Sequence, residues 1–119
     1  MTDEKITCPL KYLASVFGGK WKLPILCILS DQAPKRYSVI KRRLGNITNM
    51  MLAQSLKELE AAGMVNRYQY NEIPPHVEYS LTEKGKRALP MLTAAAQWAM
   101  HEMAFAGESP ECGECQSSQ

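Results

Sequence analysis

Residues Glu72 to Gly85 read EIPPHVEYSLTEKG, and the two prolines inside that run leave few arrangements open. The flanking phrases MVNRYQYNE and HVEYSL alternate and are rich in Val and Tyr, which is the pattern of strands. Val77, Tyr79 and Leu81 fall on one face, Glu78 and Ser80 on the other. Proline has no N–H for a ladder, so Pro74 and Pro75 are confined to an edge, a bulge or a loop. The sequence therefore predicts a hairpin whose tip is IPP. Such a tip is stiff and loses little conformational entropy when it docks.

The rest of the chain must cover that hairpin. With 119 residues, 45% of them hydrophobic, it is long enough for one compact domain. No apolar run is long enough for a bilayer span, and MTDEKITCP carries acidic residues without an apolar signal region. A cytoplasmic protein with no membrane contact is expected. The net charge is only +2, but the charges are segregated. Between Asp31 and Glu58 there is no acidic residue, while Lys35, Arg36, Lys41, Arg42, Arg43 and Lys57 all lie there. After His101 every charge is acidic: Glu102, Glu108, Glu111 and Glu114. Such asymmetry points to a polyanionic partner, the alternative being a plain solvated basic face.

Helical periodicity supplies the other elements. A first helix is expected over 10–17, ended by Gly18-Gly19. KWKLPILCIL places Trp21, Ile25, Ile28 and Leu29 on one side of a buried second helix, with Pro24 near its start. Ser38 is a plausible cap for a short third helix, with Val39, Ile40 and Leu44 inward and Lys41, Arg42 and Arg43 outward. Gly45-Asn46 breaks it, and Thr48 caps the next helix. There Leu52, Leu56 and Leu59 face inward, Met50, Gln54, Lys57 and Ala61 face outward, Glu58 and Glu60 flank, and Gly63 stops the helix. A basic helix, a tight turn and a second helix with a neutral outer face form a helix-turn-helix pattern. Thr82 is expected to cap a final helix over 83–105, kinked at Pro90. Leu92, Ala96, Ala99 and Met103 mark one apolar side, and Met91, Ala95, Trp98 and Phe105 a second, which calls for a partner subunit.

The phrases CPLKYLASVFGGKWKLPIL, KRYSVIKRRLGNIT, MLAQSLKELEAAGMV and NEIPPHVEYSLTEKG, in this order, resemble the HxlR-type winged-helix transcriptional regulators, relatives of the MarR proteins. The resemblance spans 8–98 and implies an α+β, mainly α fold: a winged helix-turn-helix domain with N- and C-terminal dimerisation helices over 1–107, then a polar, Cys-containing tail over 108–119. It implies a non-enzymatic, sequence-specific regulator, in the repressor sense, binding an inverted-repeat operator of double-stranded DNA as a homodimer. Thr48, Asn49, Met50 and Gln54 are then base-contact candidates, since Asn and Gln pair with adenine, Thr bonds a base edge and Met touches a thymine methyl. Where many members carry a lysine in the first turn of the recognition helix, this chain has Met50, which cannot donate. Arg36, Lys41, Arg42, Arg43 and Lys57 are phosphate candidates, and Arg67 and His76 would act through the wing.

Four cysteines remain. Cys27 falls in the buried second helix and reads as a small hydrophobe. Cys8 precedes Pro9 at the mouth of the first helix, where a helix dipole favours the reactive thiolate. Redox- or electrophile-responding HxlR members carry a sensing cysteine at this CP position; packing beside Pro9 and Leu10 is the alternative. Cys112 and Cys115 have C-x-x-C spacing, fit for a disulfide, for half of a zinc site completed by Cys8, His101 or a second subunit, or for resolving Cys8 across a dimer. They are equally compatible with an idle tail, and no cofactor or resident metal is expected. Two other classes stay open: a winged-helix interaction module, which would not need the basic third helix, and a thiol- or metal-binding protein built on Cys112 and Cys115.

Overall fold

A computed structural model describes residues 8–107; the tail with Cys112 and Cys115 lies outside the described residues. Six helices and three strands follow in the order α1 Pro9–Phe17, α2 Lys22–Ile28, β1 Lys35–Arg36, α3 Tyr37–Leu44, α4 Asn49–Ala61, β2 Val65–Tyr70, β3 His76–Leu81, α5 Glu83–Arg87 and α6 Leu89–Phe105. A 3-10 turn at Leu29–Asp31 closes α2. No single helix among the described residues is long and apolar enough to cross a membrane.

The core forms where the expected stripes meet. Ile25, Leu26, Ile28 and Leu29 bury against Ile40 of α3, against Leu52, Leu56 and Leu59 of α4, and against Val65, Tyr79 and Leu81 of the sheet. Residues four and seven apart on a helix share a face, so Leu52, Leu56 and Leu59 all enter this core and leave α4 one exposed side. Both ends of α4 are closed by local chemistry. Thr48 accepts the Met51 N–H at its start. At its end Gly63 takes φ of 78°, so that the Met64 N–H reaches Leu59 and the Gly63 N–H reaches Glu60, a Schellman closure. Met64 then turns into the core.

The hairpin is as predicted: β2 and β3 pair antiparallel from Val65 with Leu81 to Tyr70 with His76, and Pro74 and Pro75 lie in the connection. Two expectations are corrected. Ser38 is not the cap of α3; the helix begins at Tyr37 with Arg36 at the cap position. The cause is a strand too short to read from periodicity, since Lys35 and Arg36 pair with Tyr79 and Glu78 and complete the sheet order β1-β3-β2. The single kinked last helix is two helices, broken at Ala88. Pro90 lacks an N–H and its ring would strike the Lys86 carbonyl in a continuous helix, so the chain restarts and places Pro90 in a first turn.

In α6 no residue is buried. Leu89 and Leu92 rest partly on the core, but Trp98 is 68% and Phe105 79% exposed. This segment is therefore not wrapped into the chain's own core. Helix α1 also leaves Leu10, Tyr12 and Leu13 uncovered.

Gly85, in α5, is packed so closely that an added Cβ would press on the Met64 carbonyl and on Leu81. Alanine ordinarily favours a helix over glycine. Here Gly85→Ala is expected to lower stability by about 1–3 kcal/mol in urea unfolding, because backbone cannot yield as a side chain can.

Candidate nucleic-acid interface

With the leucine stripe of α4 turned inward, Met50 stands 81% exposed, and Gln54, Lys57 and Ala61 are exposed along the same outer side. The first residues of α4 divide their polar atoms between structure and solvent. Thr48 Oγ1 accepts from Met51 at 3.1 Å and keeps its own hydroxyl hydrogen to give. The Tyr37 hydroxyl donates to the Asn49 carbonyl at 3.1 Å and lies 3.3 Å from Asn49 Oδ1. Burial first, and Tyr79 second, push the Tyr37 phenol above its ordinary pKa, so it remains a donor. Tyr37 ties α3 to the start of α4 and was not legible in the sequence, where it follows two basic residues without periodic context.

The cations of the basic stretch separate into two groups. Arg36, Arg42, Arg43 and Lys57 are exposed and Lys41 is half-buried. Lys35 is only 9% exposed, with its ammonium on Asp31 and the Ala33 carbonyl. The hydrogen bond from Lys35, then the Ala33 amide, and less strongly Arg43, hold the Asp31 carboxyl below the ordinary carboxylate range. Lys35 is thus a structural cation, whereas the exposed ones lie on β1, α3 and α4.

Glu58 flanks the outer face in sequence, yet it is bonded to it. Its Oε1 lies 2.8 Å from Lys22 Nζ and its Oε2 accepts from Gln54 Nε2 at 2.5 Å. These two donors, Lys22 foremost, hold its carboxyl below the usual range. Lys22 belongs to α2, far from the basic stretch in sequence, so the pairing is a product of packing.

On the wing, Arg67 is exposed, with Nη2 3.5 Å from Gln69 Oε1. His76 is bonded within the wing. Its Nδ1 lies 3.5 Å from Glu72 and its Nε2 3.3 Å from Glu78, and its ring stacks on Tyr70 at 4.6 Å. Glu78 also pushes the Tyr70 phenol pKa upward. Both nitrogens being turned to carboxylates, His76 braces the hairpin. The tip presents Ile73, fully exposed, and the Ile73–Pro74 peptide is cis.

Cys8 is exposed at the N-cap of α1; its carbonyl accepts from Lys11 and Tyr12, and its side chain makes no capping bond. Cys27 is half-buried in α2 rather than fully enclosed. Among the described residues no group of three or more His, Cys, Asp or Glu could hold a metal ion.

The sequence pattern of the HxlR-like helix-turn-helix family matches residues 16–106. The chain belongs to the HxlR family. HxlR proteins are DNA-binding transcriptional regulators rather than enzymes, and here α3, the turn and α4 are the helix-turn-helix, with β2 and β3 as its wing. An uncharacterised HTH-type transcriptional regulator of Methanothermobacter thermautotrophicus is 46% identical over 98 residues, 82% of this chain and 74% of the relative. The redox regulator HypR in its reduced form superposes with a TM-score of 0.79 at 36% identity, over 84% of this chain and 98% of HypR. The reduced form of the transcriptional regulator YodB from Bacillus subtilis gives 0.69 at 36%, over 79% and 92%.

Thr48 carries a load in this HxlR chain whether or not DNA is present. Thr48→Ala is expected to cost about 0.5–2 kcal/mol in thermal or urea unfolding, and Thr48→Ser to restore most of it by keeping the acceptor oxygen.

Proposed function

We propose that this HxlR regulator acts in the cytoplasm as a homodimeric repressor on an inverted-repeat operator. The observation that carries the reading is the open side of α4, Met50, Gln54 and Lys57, lying beside the exposed cations of α3. In this reading Thr48, Asn49, Met50 and Gln54 meet base edges, while Arg36, Lys41, Arg42, Arg43 and Lys57 take phosphates, with Arg67 and His76 reaching the backbone from the wing. Phosphate contacts release counterions and give affinity without sequence preference. The uncovered apolar sides of α6 and α1 support a two-fold partner. One recognition helix per chain then requires two half-sites about 34 Å apart.

Equilibrium binding to duplexes over a range of salt, with light scattering on the free protein, tests this. The protein is expected to be a dimer at micromolar concentration and to protect two half-sites one helical turn apart. Arg42→Ala should weaken binding to every duplex alike and flatten the salt dependence by about one unit of slope. A monomer, or binding indifferent to salt, would overturn the reading.

Signal input is proposed to enter at Cys8. Its thiol is exposed at the start of α1, whose apolar residues lie open beside it. The likeness to HypR, itself a redox regulator, supports this. A two-electron oxidant would take two electrons and two protons from Cys8 and from Cys112 or Cys115 of the partner subunit, leaving a disulfide. An electrophile would instead alkylate Cys8 directly. Either change would shift the spacing of the two recognition helices, and both half-sites must be filled together for full affinity. Diamide is expected to change operator affinity of the wild-type protein and to produce a covalent dimer on a non-reducing gel, and to do neither with Cys8→Ser. Wild-type affinity unmoved by oxidant would remove the sensor role and leave the DNA-binding role standing.

A further inference from the structure

A carboxylate on the outer side of a DNA-binding helix is unexpected, because it repels phosphates. Glu58 lies one turn beyond Gln54 on α4, and both line an open cleft of about 380 Å³ between α4 and the corner joining α1 to α2. Its geometry accounts for its presence. One oxygen faces Lys22 Nζ at 2.8 Å and the other takes Gln54 Nε2 at 2.5 Å, so each oxygen has a donor. The Lys22 side chain is 12% exposed and that of Glu58 46%, so the ammonium lies underneath and the carboxylate at the surface.

We propose that Lys22 and Glu58 form a positioning device that holds the Gln54 amide ready to read an adenine in the major groove. The inference rests on the assignment of α4 as the recognition helix. A carboxylate only accepts, so the amide nitrogen of Gln54 must be the end turned to Glu58. That fixes the amide plane and leaves Oε1 and the second N–H of Nε2 uncommitted among the described residues. Those two groups match the N6–H and N7 of adenine, the bidentate pairing that a glutamine makes with that base. An unrestrained glutamine samples many rotamers, and ordering it would weaken binding; here the ordering precedes DNA. Lys22 has a separate part. By neutralising Glu58 it prevents the positioning carboxylate from repelling the nearby backbone.

The test is a double-mutant cycle on the full chain, with operators carrying every substitution at each base pair. Gln54→Ala and Glu58→Ala should each lose about fivefold or more of the preference at the same A·T pair, and the double variant should lose no more than the larger single loss. Lys22→Met should weaken binding to all duplexes alike, and this loss should vanish in the Glu58→Ala background. A readout that needs no DNA is the Gln54 side-chain amide by NMR, whose order parameter should fall in Glu58→Ala. Unchanged order together with unchanged base preference in Glu58→Ala would overturn the proposal, as would additive losses in the double variant. Failure of the wild type to bind any duplex would instead sink the recognition-helix reading, and the amide order would still report on the pairing itself.

Discussion

Burial of Leu52, Leu56 and Leu59 against Ile25, Leu26 and Leu29 is the interaction on which the rest depends. Each buried leucine contributes about 1.5–3 kcal/mol, whereas an exposed polar pair contributes about 0–1. Nothing on the outer side of α4 is strong enough to rotate the helix away from that stripe. The stripe therefore decides that Met50, Gln54 and Lys57 face solvent, and it does so without contacting any of them. The capping bond of Thr48 and the closure through Gly63 set where the helix starts and stops, and so which residues occupy its exposed first turns.

Around this helix the charged side chains are divided by burial more than by type. Lys35 and Lys22 are largely covered and matched to Asp31 and Glu58. Arg36, Arg42 and Lys57 keep their guanidinium or ammonium groups in water, where a polyanion can reach them. The wing follows the same division. His76 is enclosed by Glu72, Glu78 and Tyr70 and stiffens the hairpin, while Arg67 and Ile73 point outward.

What the sequence determined by itself is the part governed by near neighbours. Periodicity located the leucine stripe, Thr48 and Thr82 marked helix starts through their side-chain oxygens, Gly63 marked a left-handed stop, and Pro74 and Pro75 marked the hairpin tip. The membership of the family was legible for the same reason, since those signals recur in a fixed order. Each depends on bonds spanning no more than about four residues, and such bonds leave a readable residue type behind.

Only the tertiary structure decided the features that join distant segments. The strand at Lys35 and Arg36 exists because β3, over forty residues later, offers an open edge, and it moves the start of α3 from Ser38 to Tyr37. The break at Ala88 reflects how α5 is packed onto Met64 and Leu81 as well as the missing N–H of Pro90. Lys22 meets Glu58, and through it Gln54, because α2 and α4 share a core. His76 meets carboxylates on either side of it in the folded hairpin. In each case the residue type allowed several partners, and the fold selected one by bringing it within bonding distance and excluding water from the others.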